Sequence, residues 1–178
     1  MGPSVPPAPL ILTLEMDSAS SDFFERCRRE YFPLELNRVP AHLSLFHRLP
    51  GEETQGVLEA VEEACRKRSL MKIQIAGIRN LGHGVAFRAQ SAVLTRFRAE
   101  LAHTYASWLI PQDRQPFNPH ITIQNKVTPE EARRVFALLG GGVGPQSLTG
   151  VGVAVWRYLG GPWERLRVYT FHNAEEPI

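Results

Sequence analysis

Two short stretches of this chain repeat one pattern, His42-Leu43-Ser44-Leu45 and, 78 residues later, His120-Ile121-Thr122-Ile123. Each alternates polar with apolar residues, which predicts a strand with odd and even positions on opposite faces. Leu43 and Leu45, like Ile121 and Ile123, take the core side. His42, Ser44 and Phe46 share the opposite face of one strand, and His120, Thr122 and Gln124 that of the other. At about 3.3 Å rise per residue, each copy presents an imidazole and a hydroxyl about 7 Å apart, a span one phosphate group bridges. A lone His-x-Thr tripeptide arises by chance. Here a proline stands before each copy (Pro40, Pro119) and a helix-like segment follows each, so the context is duplicated too.

That duplication implies two halves with one grammar. Strand, helix, proline-containing loop, motif strand, helix and strand run over residues 10–78 and again over 85–159, with one strand added at the end. Residue identity between the halves is slight; the repeat is one of pattern. The chain is therefore expected to be α+β, with two pseudo-symmetric lobes, each an antiparallel-rich sheet with outer helices, facing across a central cleft. Residues 1–8 read as an extended lead-in and 9–178 as a single two-lobed domain. Helix signals are local and specific: Ser91 is a cap candidate for the helix after it. Thr128-Pro129-Glu130-Glu131 supplies a cap, a proline at the first helical position and a capping-box glutamate.

Composition narrows the classes. With 43% hydrophobic residues in 178, the chain has material for a real core. No apolar run approaches the ~18 residues of a membrane span, and the start lacks the pattern of a secretory signal, so a cytoplasmic protein with no membrane partner is expected. Cys27 and Cys65 sit on the apolar stripes of helices and read as small core residues. The net charge is +2, too small for a general nucleic-acid field. Seventeen of the twenty cationic side chains are arginine, a composition bias that matters only beside the motifs, where a guanidinium suits bidentate phosphate contact. The glycine run at 140–144 lacks the Gly-Lys-Ser/Thr ending of a phosphate loop and reads as a linker. His47, five residues from His42, should point to the other face and belong to the surface.

Two converging imidazoles, each with a hydroxyl beside it, suit chemistry on a phosphodiester. One neutral ring takes a proton from the attacking oxygen while the other, protonated, gives one to the departing oxygen. Hydroxyls donate to the non-bridging oxygens. Near pH 7 an imidazole populates both states. No carboxylate cluster near either motif offers a home to a metal, and no cofactor motif is present. Phe46, Gln124 and Lys126 are further candidate substrate contacts, with Trp156 and Tyr158 as aromatic strand residues able to stack a base.

On these two motifs the chain resembles the two-histidine (2H) phosphoesterases, whose signature is a pair of His-x-Ser/Thr-x motifs, one per pseudo-symmetric lobe. The resemblance covers about Leu10 to Phe171. In length and motif spacing the chain is similar to the bacterial 2′-5′ RNA ligase and RNA cyclic phosphodiesterase branch. The resemblance implies that His42 and His120 are the acid/base pair and Ser44 and Thr122 the phosphate anchors. It further implies a nucleotide or RNA end bearing a cyclic phosphate as substrate. No obligate protein partner is evident in the sequence, and a monomer is expected. Many ligase-branch members carry an arginine after the second motif, where this chain has Gln124-Asn125-Lys126; Lys126 then stands in as a point charge. Two other readings remain: a non-catalytic binder of nucleotides or RNA ends, and hydrolysis of a small cyclic phosphate that is not a nucleotide. The sequence does not distinguish which histidine is base and which is acid.

Overall fold

The structure, a computed structural model, describes residues 6–172; most of the expected lead-in thus lies outside the described residues. In chain order the elements are β1 (Leu10–Met16), α1 (Ser18–Tyr31), β2 (Leu43–Leu49), α2 (Thr54–Arg66), β3 (Met71–Asn80), β4 (Val85–Gln90), α3 (Ala92–Thr104), β5 (His120–Gln124), α4 (Pro129–Leu139), β6 (Ser147–Tyr158) and β7 (Trp163–Thr170). This is the expected α+β arrangement with an antiparallel sheet and helices outside it.

The sheet runs β1-β2-β5-β4-β3-β6-β7, and β1 also pairs with β6, giving a barrel-like ring. The ring carries the internal symmetry. Exchanging β1 with β4, β2 with β5 and β3 with β6 leaves every neighbour relation among these six strands unchanged, and only β7, added at β6, falls outside the symmetry. The ring splits into two strand groups, β2-β1-β6 and β5-β4-β3, that meet at two seams, β3 with β6 and β2 with β5. Each sequence half thus lends its third strand to the other group, and the two motif strands are direct hydrogen-bonded neighbours.

Helix ends follow the local signals. Asp17 caps α1 by accepting from Ser20 N at 2.9 Å, and its second oxygen accepts from Thr149 N at 2.8 Å, tying the helix start to β6. Ser91 accepts from Leu94 N and Thr128 from Glu131 N, both at 3.2 Å. The capping box after Thr128 is only half made, because the Glu131 carboxylate turns to Arg134. All four helices pack on one side of the sheet. Phe24, Cys27, Val57, Val61, Cys65, Leu94, Phe97, Leu101, Val135 and Leu139 meet Leu12, Leu43, Leu45, Ile121 and Ile123 in one buried cluster. Both cysteines are free and buried there, as their helical spacing implies. The inner side holds a small apolar group, Ile11, Ala154 and Trp156 with Trp163 and Val168 packed on it.

Strict alternation fails at the same point in both motif strands, and in β2 it slips a second time before Leu49. Thr13 pairs with Ser44 but Leu12 with Phe46, so Leu45 is an extra residue; Ala86 pairs with Thr122 but Val85 with Gln124, so Ile123 is the extra one. A bulge of one residue reverses the facing of the residues beyond it, in β2 until the second slip returns Leu49 to the core. Phe46 and Gln124 therefore turn to the helix side and are fully buried, which corrects the expectation that they line the substrate face. Phe46 packs edge-on against Tyr105, with ring centroids 5.4 Å apart. Gln124 pays for its position: among the described residues neither its amide nitrogen nor its amide oxygen has a partner. An orphaned buried polar group costs about 1–3 kcal/mol. Gln124→Met, similar in shape and without those groups, is expected to raise the unfolding free energy by about 1–2 kcal/mol in urea titrations. A loss would mean that buried water satisfies the amide.

Candidate active site

Leu43 pairs with Ile121 across the β2–β5 seam. One antiparallel step to either side sets His42 against Thr122 and Ser44 against His120, all four on the inner face. Direct cross-strand neighbours have Cβ atoms about 5 Å apart, and diagonal ones lie about 7–8 Å apart. The two histidines occupy one diagonal of this square and the two hydroxyl residues the other. The sequence placed each imidazole beside the hydroxyl of its own motif; the pairing adds a hydroxyl from the opposite motif.

The rings are held in matching ways. His42 Nδ1 lies 2.8 Å from the carbonyl oxygen of Pro40, and His120 Nδ1 lies 2.8 Å from that of Asn118, each two residues upstream. A carbonyl only accepts, so Nδ1 carries the proton in both and the neutral tautomer leaves Nε2 with its lone pair free. Pro40 and Pro119, the prolines that flagged the motifs, bracket this turn: Pro40 supplies the carbonyl itself, and Pro119 follows the residue that does.

The surroundings differ. The His42 ring packs on Trp163, with centroids 4.6 Å apart. Desolvation pushes His42 down to about 4; the Pro40 carbonyl pulls the other way, and the positive fields of Arg28, His120 and His47 add to the lowering. At neutral pH His42 is thus an uncharged imidazole.

Two buried arginines hold the motif strands, and neither was singled out in the sequence. Arg28 of α1 donates from Nη1 to the Thr122 carbonyl at 2.8 Å and from Nε to Asn37 Oδ1 at 3.0 Å, over the Phe32 ring at 4.3 Å. Arg98 of α3 donates from Nε to the Leu45 carbonyl at 3.2 Å and from Nη2 to the Asp113 carbonyl, over Phe46 at 4.5 Å. The first helix of each half so reaches the motif strand of the other. Burial lowers both guanidinium pKa values, with the nearby carboxylates Glu25 and Asp113 opposing it.

Beyond the Leu45 bulge His47 comes round to the inner side, contrary to the sequence expectation of the opposite face. Its Nδ1 is 2.7 Å from Asp113 Oδ1, and Asp113 also accepts from the backbone N–H of His47 at 3.0 Å and of Arg48 at 3.1 Å. His47, Ser44, Asn118 and His120 share a recess of about 200 Å³. Lys126 lies elsewhere, beside a hollow of about 410 Å³ with Arg28, Arg38 and Tyr158. Trp156 is buried, its Nε1 donating to Thr13 Oγ1 at 2.8 Å, so Trp163 and not Trp156 is the indole against His42. Among the described residues no three His, Cys, Asp or Glu side chains gather as a metal site, and no helix is long and apolar enough to cross a membrane.

The family model described as the 2′-5′ RNA ligase superfamily matches residues 16–162. No curated protein matches the sequence. Among solved structures, TT0787 of Thermus thermophilus is similar at a TM-score of 0.67 with 17% identity, covering 94% of this chain and 100% of that one. LigT of E. coli complexed with NADP+ follows at 0.59 and 16%, covering 93% and 98%. The same protein complexed with 3′-AMP gives 0.56 and 14%, with the same coverage. At these identities the likeness speaks for the fold.

Proposed function

We propose a reaction for this chain from one premise: it belongs to the 2′-5′ RNA ligase superfamily. The reading is a metal-independent phosphoesterase that opens 2′,3′-cyclic phosphates, or acts on 2′-5′ linkages, of nucleotides or RNA ends. His42 and His120 are its acid/base pair, and Ser44 and Thr122 hold the phosphate. The observation that carries it is the diagonal pair of imidazoles, each with Nδ1 tied to a carbonyl two residues upstream so that Nε2 is free. A phosphate seated over the square meets a ring on two opposite corners and a hydroxyl on the other two. That LigT is found complexed with 3′-AMP, ATP and NADP+ supports a nucleotide-sized ligand.

In the hydrolytic direction a neutral imidazole removes the proton of water as its oxygen attacks phosphorus. The bond to the leaving ribose oxygen breaks, and the protonated imidazole delivers a proton to that oxygen. Ser44 and Thr122 donate to the non-bridging oxygens as charge builds on them. His42, neutral in the free protein, is in the state a base requires; His120 then takes the acid role. With a ribose 5′-hydroxyl in place of water the same steps give ligation.

The test is a product assay on 2′,3′-cyclic nucleotides and 2′-5′ dinucleotides, with EDTA present throughout and 2′- resolved from 3′-phosphates. Turnover supports the reading; tight binding without product favours a non-catalytic nucleotide binder. The pH profile of kcat/KM checks the base. A base must be deprotonated in the free enzyme, so the acid limb of kcat/KM should come only as pH drops through about 4, where His42 gains its proton, while loss of the acid's proton sets a separate alkaline limb. An acid limb near ~6.5, where an ordinary imidazole titrates, would remove His42 from that role.

A further inference from the structure

The inner face continues past His120 into a cationic cavity that the reaction above leaves unused. Arg88 on β4 is the direct cross-strand partner of His120. Arg79 on β3 pairs with Ala86, and Ala86 with Thr122, which puts Arg79 on the same face one row along. A register slip between Ile75 and Ile78 makes this possible, because without it Arg79 would share the facing of Ile75, toward the helices. Gly77, at φ +103°, supplies the left-handed backbone within that slip. Arg96 arrives from α3. Arg79, Arg88 and Arg96, with Ser91, Asn118 and His120, line one cavity of about 580 Å³.

The three guanidinium groups form no ion pair among the described residues. On α2 and α4, by contrast, Arg66, Lys67, Arg133 and Arg134 each lie within 4 Å of a glutamate. With a net charge of only +2 for the whole chain, three unpaired like charges converging in one concavity are a local feature. Their mutual repulsion costs stability in the free protein and is relieved by an anion. Guanidinium groups match the geometry of phosphate oxygens.

We propose that this cavity is a second anion subsite, holding a phosphate of the substrate other than the one seated between His42 and His120. The proposal rests on the phosphoesterase reading of the neighbouring site. It narrows the substrates to nucleotides or RNA ends with a further phosphate. Two sources carry that group: the internal phosphodiester of an oligonucleotide, or a terminal phosphate monoester of a mononucleotide.

The experiment reads binding, so it does not depend on turnover. Calorimetry compares adenosine 2′-phosphate, adenosine 2′,5′-bisphosphate and an adenylyl dinucleotide ending in a 2′-phosphate, on the wild-type chain and on an Arg79→Gln/Arg96→Gln double variant. In the wild type at least one of the two-phosphate ligands should bind roughly ten- to a hundredfold more tightly than the monophosphate. The advantage should shrink as salt is added and fall to within about threefold in the double variant. A larger gain for the dinucleotide assigns the subsite to the RNA backbone, and a larger gain for the bisphosphate to a terminal phosphate. Equal affinities in the wild type, no binding of either two-phosphate ligand, or an advantage that survives the double substitution overturns the proposal. Both arginines are exposed, and a matching thermal melt shows that the variant is folded. Failure of the phosphoesterase reading shows separately, as absent turnover of a 2′,3′-cyclic nucleotide by the wild type.

Discussion

Replacing His42 or His120 with alanine should lower kcat/KM toward a 2′,3′-cyclic nucleotide by roughly two to four orders of magnitude, with losses of similar size. Each ring is fixed by one Nδ1 hydrogen bond to a neighbouring carbonyl, so alanine removes a proton carrier while leaving the strand pairing of Leu43 with Ile121 intact. Because proton removal and proton delivery belong to one displacement, the effects are not independent. The double variant should be little worse than the poorer single one. A fully active His120→Ala protein would end the assignment of the pair.

Asp113→Ala should lower the unfolding free energy by about 2–5 kcal/mol, measured by urea denaturation. This carboxylate is almost wholly buried and accepts from the backbone N–H groups of His47 and Arg48 and from the His47 ring. Alanine removes the one carboxylate that ties these three donors together and leaves a gap just beyond the Leu45 bulge, so the strand that carries His42 and Ser44 loosens where it turns. Burial alone would raise the Asp113 pKa, but the hydrogen bonds from His47 and Arg48 outweigh it and hold it below the usual carboxylate range. A depressed folded-state pKa means stabilisation that is present above the unfolded value near ~3.9 and lost as pH falls through the folded value. Asp113→Asn should erase that part of the acid dependence. An unchanged acid limb of stability in that variant would show that other carboxylates control it.

The motifs and the pattern around them are local, and they were legible. Alternation placed His42, Ser44, His120 and Thr122 on one face, and the cap chemistry of Ser91 and Thr128 marked two helix starts. Helical spacing put Cys27 and Cys65 in the core. What alternation could not carry is a bulge, since an added residue leaves no mark in an apolar-rich strand such as Leu43 to Leu49. The error then propagated: Phe46 and Gln124 were expected on the substrate face and lie in the core, while His47 was expected away from the motif face and came round to it. Duplication held a clue, for the bulges at Leu45 and Ile123 occupy the same position in both copies. Arg28, Arg98 and Asp113 were invisible for another reason. Each acts across the fold, on a partner 53 to 94 residues distant in the chain, and nothing local in the sequence marks such a pair. Arg79 and Arg88 depend likewise on sheet register, which sets Arg88 beside His120 and Arg79 in the row of Thr122, across Ala86, only once β3, β4 and β5 are aligned.

A crystal structure of the wild-type protein with adenosine 2′-phosphate tests the shared-phosphate claim most directly. The account predicts Nε2 of both His42 and His120 within about 2.6–3.2 Å of oxygens on a single phosphate, with the Ser44 and Thr122 hydroxyls on its remaining oxygens. A phosphate held by one imidazole alone, with the other ring turned to solvent or to protein, would contradict it.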